Sequence, residues 1–337
     1  MPEVSVIMGV CNGRRFLPAA VASVQAQTFP DWELILVDNG STDGGVDAML
    51  RARPDSRVRV VRYPEALSPA GALAVACQEA RGRYLAVLDS DDLAMPRRLE
   101  IQRAYLDMRP DICLLATGSE LIDDQDNLLG REPHVGTHED IYALSAYVHV
   151  LRHSSVMFRR ELLERIQYRN VLAVGTDHDL FTRAAEIGRV EALPAPLCRY
   201  RLHRDNLSRH PARRAFSLGL VGMLTHRRRH GLAEDFDLWK RKFAEGEAAV
   251  GDNPGRAYLF CARTFATEGF DDLAVMHAWL AIRAGARWRG ADRYLRSLLH
   301  GMGRARGAPG AMLKGWLKEP AHQLLRSAGG IPDRPQF

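Results

Sequence analysis

The sequence predicts an α/β protein with a mainly parallel sheet flanked by helices, followed by an all-helical C-terminal region. Apolar segments of strand length alternate with segments of helical periodicity over the first part of the chain. Two of the strand-like segments end in clusters of aspartates, at the end of a strand where open α/β sheets bind ligands. Beyond about residue 210 only helical periodicity is present. We therefore expect a first domain over residues 1–210 and a helical region over residues 211–337.

The alternation defines the predicted elements in order. The βαβα order implies parallel strands with right-handed connections, and Pro96 suits the first position of a helix. The predicted strands are 4–10, 32–37, 58–62, 84–88 and 112–117, and the predicted helices between them are 16–27, 47–53, 70–80 and 96–108.

The later pattern is less regular and then becomes helical. A helix is expected over 140–151, a short strand over 155–158, and a helix over 177–187 that acidic residues open, as its dipole favours. The segments 257–266, 271–284 and 289–300 resemble antiparallel helices of a degenerate helix-hairpin repeat.

Composition limits the class of protein. The chain has 337 residues, 46% hydrophobic and 26% charged, which is ordinary for a globular protein. Its five scattered cysteines form no Cys-x-x-Cys pair, so neither a disulfide framework nor a zinc site is expected. The N-terminus leads directly into a strand, and no apolar run reaches the ~18 residues of a membrane span. These features predict a cytoplasmic protein.

The run that follows the strand 84–88 suggests a metal site. Asp89, Asp91 and Asp92 are three carboxylates within four residues, and such close like charges repel one another. A cation among them relieves the repulsion, and Mg²⁺ or Mn²⁺ prefers hard oxygen ligands and completes its shell with substrate phosphates. The run therefore predicts a metal that holds a diphosphate. The alternative is an acidic turn in which Asp92 caps the next helix.

A second carboxylate turn follows the strand 32–37. It begins at Asp38 and runs through Asn, Gly, Ser and Thr to Asp43. Two strands that both end in aspartate fit a ligand site at the carboxyl edge of a parallel sheet. The alternative is an ordinary turn and N-cap, since these residue types favour both.

The ordered motifs resemble those of the inverting glycosyltransferases of family 2, through roughly residues 4–209. The joint order of these blocks is specific to that family but not to a sugar or an acceptor. The matching blocks are 5–10 with Asn12, 23–28, 33–43, 82–84, 89–92, Pro96, 98–99, Gln102, 153–160, 177–180, and 200–203 with Asn206 and Ser208.

The resemblance implies a GT-A, Rossmann-like fold and a nucleotide-diphosphate sugar donor, most often a UDP-sugar, used with Mn²⁺ or Mg²⁺. Asp91 matches the direct metal ligand of the family DxD motif, and Asp89 lies near the ribose or a metal-bound water. Asp177 matches the catalytic base. His203 falls in a segment that often closes over the donor phosphates, although a structural loop histidine is the alternative. The implied donor-binding residues are Val10, Asn12, Asp38, Asp43, Asp89, Ser90 and His203.

Three positions depart from the family pattern. Cys11 stands where Tyr is common and Ala74 where Asn is common. Thr176 precedes Asp177, where the family usually has Glu. If that Glu were essential, Asp179 would be the alternative base, although two positions along a helix it should face differently.

Other functions compete with transfer of a sugar. A sugar-nucleotide nucleotidyltransferase would need a Gly-rich basic loop after the first strand, and residues 9–15 match that spacing weakly. A dinucleotide oxidoreductase would need a G-x-G-x-x-G motif there, which is absent. A basic, non-enzymatic module for nucleic acid lacks interleaved aromatic residues, so no nucleic-acid partner is expected.

The expected acceptor and one interpretation of the C-terminal tail both involve a membrane surface. We expect a glycan or lipid-linked acceptor in surface polysaccharide or glycolipid synthesis. Residues 282–337 carry eleven Lys plus Arg against three acidic residues. Peripheral contact with the inner face of a membrane is therefore one interpretation of this tail, and docking on the preceding helices is the other. The tail's apolar face consists of Met312, Leu313, Trp316 and Leu317.

Overall fold

The computed structural model of the chain describes residues 1–132, 136–171, 174–206 and 209–284. Within these limits the chain forms two compact units. The first comprises Met1–Ala143, Val150–Asn170 and Thr176–Arg204. The second comprises Leu144–His149, Val171–Gly175 and the described residues from Asp205 to Ala284.

Four parallel strands form one half of the sheet in the first unit, in the order β3-β2-β1-β4. β1 and β2 are buried along nearly their whole length, because helices cover both faces, as is usual for parallel strands. The predicted strand 4–10 is confirmed at both ends. The four strands are β1 (Val4–Val10), β2 (Trp32–Asn39), β3 (Val58–Tyr63) and β4 (Tyr84–Val87).

The other half of the sheet is mixed. Beyond β4 the order is β8-β6-β9-β5, with β7 beside β6, and β6 and β9 pair in parallel while the other pairs in this half are antiparallel. The sheet is therefore parallel over its first four strands, as predicted, and mixed beyond them. These strands are β5 (Leu93–Ala94), β6 (Ile112–Ile122), β7 (Leu128–Glu132), β8 (Met157–Arg159) and β9 (Arg189–Arg201).

β9 is the longest of three strands that the sequence pattern did not predict, the others being β5 and β7. It contains Pro194 and Pro196, which usually interrupt a strand because proline has no N–H for the ladder. The pairing register with β6 shifts around Gly118. A Cβ atom at Gly118 would lie 2.6 Å from the carbonyl oxygen of Pro194, so glycine permits the close approach at this irregularity.

The helices of the first unit cover the sheet through alternate positions of its strands. Even-numbered residues of β1 share a core with α1, α2 and α4, and α3 packs against β1 and β2. The helices are α1 (Leu17–Gln25), α2 (Gly45–Ala52), α3 (Pro69–Glu79), α4 (Arg98–Met108), α5 (His138–Ser145), which continues into the second unit, and α6 (Thr176–Ile187).

Several predicted boundaries are wrong, and three of them lie in or near the segments that flank the acidic turn or follow β7. α4 begins at Arg98 with Arg97 as its N-cap, so Pro96 lies before the helix. The helix expected over 140–151 is shorter, because α5 ends at Ser145. The strand expected at 155–158 begins only at Met157, since a 3₁₀ turn at His153–Ser155 precedes it, closed by the Ser155 hydroxyl on the carbonyl of Arg152.

The second unit is helical over its described residues. Its core contains aromatic side chains such as Phe216, Trp239 and Phe243. Gly219 lets α7 and α9 approach, since a Cβ there would lie 2.6 Å from the sulfur of Cys261. The segment 289–300 and the apolar face of the tail lie outside the described residues. The helices are α7 (Pro211–Arg229), α8 (Phe236–Val250), α9 (Pro254–Thr267) and α10 (Asp271–Arg283).

Candidate active site

Asp92 anchors the acidic turn that follows β4. Its side chain is fully buried and accepts hydrogen bonds from Ser154 Oγ (2.5 Å) and from the backbone N–H of Arg201 (2.7 Å). Burial, with the charges of Asp91 and Asp89, raises the pKa of Asp92 well above its usual range. Asp92 therefore ties the acidic turn to the 3₁₀ turn and to the end of β9. The alternative interpretation of the run, in which Asp92 caps the next helix, is wrong, because the N-cap of α4 is Arg97.

Asp91 meets His203 on the open side of the same turn. His203 Nε2 lies 2.9 Å from Asp91 Oδ2, and Arg201 Nε donates to the carbonyl oxygen of Asp91 at 2.7 Å. The His203 ring packs against Phe16, with ring centroids 4.8 Å apart. The side chain of Asp91 is 29% exposed. An imidazole nitrogen thus lies beside a carboxylate that is partly open to a ligand, while the histidine side chain itself is largely buried.

Asp89 is held from the opposite side by a histidine. Asp89 Oδ1 lies 3.0 Å from His153 Nδ1, and His153 Nε2 lies 3.0 Å from the hydroxyl of Tyr168. Burial lowers the pKa of His153, but the charge and hydrogen bond of Asp89, with a smaller effect of Asp177, outweigh it and raise the pKa. The side chain of Asp89 remains 39% exposed.

The predicted base, Asp177, lies in the first turn of α6 and is half-buried. Its charge acts on both His153 and Tyr168, as does that of Asp89. The two carboxylates therefore share one electrostatic neighbourhood, although they are distant in sequence. This location agrees with a role near the reacting atoms.

Asp179, the alternative base, has a different environment. Its fully buried carboxylate accepts from Arg169 (2.6 and 2.8 Å) and from Arg183 (2.7 and 3.0 Å). Burial raises its pKa, but the two guanidinium groups outweigh this and lower it. Because both oxygens are occupied by cations, Asp179 is suited to holding α6 in place and poorly suited to accepting a proton.

The loops after β1 and β2 are joined by side chains predicted to bind the donor. Asn12 has a left-handed backbone (φ 56°), and its Oδ1 accepts the N–H of Thr42 at 2.8 Å while its own N–H donates to Ser41 Oγ. Asp38 is buried near the end of β2, where Oδ1 accepts the N–H of Ser41 and Oδ2 lies 3.2 Å from Arg62. These contacts fix the loop conformation that a nucleotide would meet.

The carboxylate of Asp43 is hydrogen-bonded to backbone groups of the same loops. Its two carboxylate oxygens accept the N–H groups of Arg14 and Gly45, both at 2.8 Å. This geometry gives Asp43 a role in joining the two loops, and its direct contact with a donor stays a prediction. Val10 is buried at the end of β1, and Ser90 is half-buried in the acidic turn.

The oxygen and nitrogen atoms of Asp91 and His203 are suitable ligands for a divalent cation that also binds phosphates. Among the residues that the structure describes, no three His, Cys, Asp or Glu side chains are grouped as a complete metal cage. Asp91 and His203 instead offer one oxygen and one nitrogen, with Asp89 in the same turn. Mg²⁺ and Mn²⁺ are commonly held by one or two protein side chains, with waters and substrate phosphates completing the shell.

An open cleft of about 540 Å³ lies beside Tyr168. One wall is a face of α3 that carries Ala74 and Cys77, and the other is formed by residues 160–168. Tyr168 thus lines the cleft with one part of its side chain and binds His153 with its hydroxyl.

Several site residues belong to the sequence motifs, but the motifs assign them no role. His153, Ser154 and Arg201 belong to this group, and Tyr168 was not singled out. The signal for His153 and Ser154 is a histidine followed by two small hydroxyl residues just before a buried strand. Their partners depend on strand pairing, which the motif does not contain.

Comparison with known proteins identifies the class. A family model described as glycosyl transferase family 2 matches residues 5–167. The putative teichuronic acid biosynthesis glycosyltransferase TuaG of Bacillus subtilis is 33% identical over 174 residues, which cover 50% of this chain and 67% of TuaG. The chain is therefore a glycosyltransferase and belongs to glycosyl transferase family 2.

Two further similarities are informative. WfgD of Escherichia coli, a UDP-Glc:alpha-D-GlcNAc-diphosphoundecaprenol beta-1,3-glucosyltransferase, is 32% identical over 128 residues, which cover 38% of this chain and 49% of WfgD. The crystal structure of S. aureus TarS 1-349 in complex with UDP-GlcNAc has a TM-score of 0.61 and 18% identity, covering 91% of this chain and 93% of that chain. At this identity the likeness to TarS shows the fold, which is the expected GT-A fold.

Proposed function

We propose that the protein transfers a sugar from a UDP-sugar to an acceptor hydroxyl, with inversion at the anomeric carbon. The observation that carries the proposal is the contact between Asp91 and His203 beside Asp89, at the carboxyl end of β4. This is the edge of the sheet at which α/β proteins bind ligands. The UDP-GlcNAc in the TarS complex supports a UDP-sugar as the donor class.

The proposed metal site consists of Asp91 and His203, with Asp89 close by, and would take Mn²⁺ or Mg²⁺. A bound divalent ion would neutralise charge on the leaving diphosphate and orient it. Asp38 and Asn12 would shape the nucleotide pocket through the loops that they join.

Asp177 is the proposed base. The acceptor oxygen forms a bond to the anomeric carbon while the bond from that carbon to the diphosphate oxygen breaks. The acceptor proton passes to the Asp177 carboxylate, because an alcohol is too weakly acidic to lose it beforehand. One base and one displacement give inversion, whereas a retaining hydrolase requires a second carboxylate about 5 Å from the first, across the scissile bond.

For the acceptor, we propose a lipid-linked glycan used in surface polysaccharide or glycolipid synthesis. The names of TuaG and WfgD support this class. No helix within the described ranges is long and apolar enough to cross a bilayer. We also propose peripheral contact at the cytoplasmic face of a membrane, on the basis of the basic tail, which lies outside the described residues.

The test is a panel of UDP-, GDP- and TDP-sugars incubated with Mn²⁺, with Mg²⁺ and with a chelator. We expect release of UDP that requires an acceptor and stops when the metal is removed, and a product with inverted anomeric configuration by NMR. Release of pyrophosphate from UTP and a sugar phosphate would instead support a nucleotidyltransferase. Metal-independent turnover, or retention of configuration, would overturn the corresponding part of the proposal.

A further inference from the structure

We propose that His153 and Tyr168 are positioning residues that hold the carboxylate of Asp89 in the orientation needed by the donor. The inference rests on the proposed function, in which Asp89 contacts the ribose or a metal-bound water. Asp89 Oδ1, the two ring nitrogens of His153 and the Tyr168 hydroxyl form one chain of contacts, each 3.0 Å long.

The chemistry of imidazole gives this chain a direction. A carboxylate only accepts hydrogen bonds, so His153 Nδ1 donates to Asp89. Nε2 meets the Tyr168 hydroxyl, which donates to a neutral ring and accepts from a protonated one. In either state Tyr168 holds the far side of the ring while Nδ1 donates to Asp89. Partners of this kind, one step removed from a metal or ligand, commonly orient the groups that bind it.

The packing around His153 restricts the rotation of its ring. Tyr168 contacts the ring edge-on, with centroids 5.9 Å apart, and Phe181 lies 6.3 Å away on a tilted plane. The same 3₁₀ turn fixes the backbone of Asp89, because Ser154 Oγ accepts the Asp89 N–H at 3.0 Å. Asp89 is thus held at both its backbone and one carboxylate oxygen, which leaves Oδ2 for a ligand.

Two substitutions of His153 separate positioning from simple packing. In His153→Asn the amide nitrogen stands close to the place of Nδ1, so donation to Asp89 is retained and the Tyr168 contact is lost. In His153→Gln the longer side chain reaches the place of Nε2, so the Tyr168 contact is retained and Asp89 is released. Tyr168→Phe removes only the hydroxyl.

We expect His153→Gln to raise the KM for the donor by about 10–100-fold, the usual effect of losing such a partner. His153→Asn should stay within about threefold of the wild type, because the donor to Asp89 remains. Tyr168→Phe should lie between the two. Tyr105→Phe is the matched control, since its hydroxyl also donates to a carboxylate, that of Glu191 at 2.9 Å, outside the candidate site.

A double-mutant cycle decides whether His153 acts through Asp89. The affinity for UDP with Mn²⁺, measured by calorimetry, should fall in His153→Gln but should not fall further when Asp89→Asn is already present. Thermal unfolding of each variant reports folding, and Tyr168→Phe keeps the test valid if His153→Gln does not fold. The positioning role alone would be overturned if His153→Gln and Tyr168→Phe had the donor KM and UDP affinity of the wild type. Additive losses in the double-mutant cycle would also overturn it. A wild-type protein that binds no UDP would overturn the proposed function as well.

Discussion

His203 Nε2 lies 2.9 Å from Asp91 Oδ2, although 112 residues separate them in the sequence. The contact depends on sheet pairing. The short strand β5 follows the acidic turn directly and pairs with β9, with Leu93 opposite Arg199. The residues that follow β9 are therefore placed beside the turn that precedes β5. The acidic turn and the segment after β9 therefore meet because β5 and β9 are neighbours in the sheet.

The first prediction concerns Asp91. Asp91→Asn should lower metal-dependent turnover by about 10³-fold, equivalent to the several kcal/mol that a metal supplies to the transition state. Stability should stay equal or rise slightly, because one of three repelling charges is removed. Initial rates over a Mn²⁺ titration, with thermal unfolding, measure both effects. The control is Asp111→Asn, an exposed acid paired with Arg109. Full activity with an unchanged Mn²⁺ requirement would remove Asp91 from the metal site.

Asp177→Asn should separate binding from chemistry. UDP and metal should bind as in the wild type, because the base contacts the acceptor. Transfer should fall by about 10²–10⁴-fold, the usual contribution of a positioned base. Calorimetry with UDP and single-turnover rates check the two parts. Loss of UDP binding would place Asp177 in the donor site, and normal transfer would mean that it is not the base.

The substitution Asp179→Asn should lower the stability of the folded protein. Asp179→Asn leaves Arg169 and Arg183 without their buried carboxylate. Removing one member of a buried ion pair costs about 3–5 kcal/mol, so the urea midpoint should fall markedly. The catalytic rate of the protein that remains folded should change little. An unchanged midpoint with a large loss of transfer would instead identify Asp179 as the base.

A pH effect is expected in the second unit. Burial alone would raise the pKa of Asp272, but hydrogen bonds from His226 (3.0 Å) and the Tyr147 hydroxyl (2.6 Å) lower it to about 2. Because the folded-state pKa is below the ~3.9 of an unperturbed aspartate, the added stability is complete above about pH 4. It is lost as the pH falls toward 2, and amounts to about 2 kcal/mol.

Denaturant unfolding between pH 5 and pH 2 tests this effect. Asp272→Asn should be less stable than the wild type at pH 5, and the difference should shrink as the pH approaches 2. Parallel stability curves for the two proteins across this range would show that Asp272 is not responsible.

The basic tail gives the fifth prediction. Anionic lipid attracts basic segments by about 1 kcal/mol per residue near the surface, and salt screens the attraction over ~8 Å. The intact chain should therefore co-sediment with anionic liposomes at low salt, and less so at high salt. A chain without residues 307–337 should bind more weakly. If the intact chain stays in the supernatant at low salt, the membrane proposal fails and docking of the tail is favoured.

The buried parallel strands could be predicted because their signal is local. Val4–Val10 is apolar except for Ser5 and is bounded by polar and turn residues, so its ends are predictable without knowledge of its neighbours. β9 could not be found in this way. Its two prolines are tolerated only because the pairing with β6 is irregular opposite them, and that irregularity belongs to a partner strand about 75 residues earlier.

The candidate site was predictable by residue type but not by role. Asp91 and Asp92 are adjacent and chemically identical, yet one faces His203 and the other is buried against Ser154 and Arg201. Asp43 was predicted to bind the donor, and its oxygens are occupied by backbone N–H groups. Whether an aspartate can bind a ligand or instead holds the backbone in place depends on its tertiary contacts. A local sequence pattern does not contain information about those contacts.

The place of β9 has a consequence for any shortened form of the protein. The family model ends at residue 167, yet β6 pairs along nearly its whole length with β9, which begins at Arg189. A fragment cut at the end of the family match would turn β6 into an unprotected edge strand, and long apolar edges promote aggregation. It would also leave the carboxylate of Asp92 without the N–H of Arg201. The smallest useful catalytic fragment must therefore extend at least to Arg204.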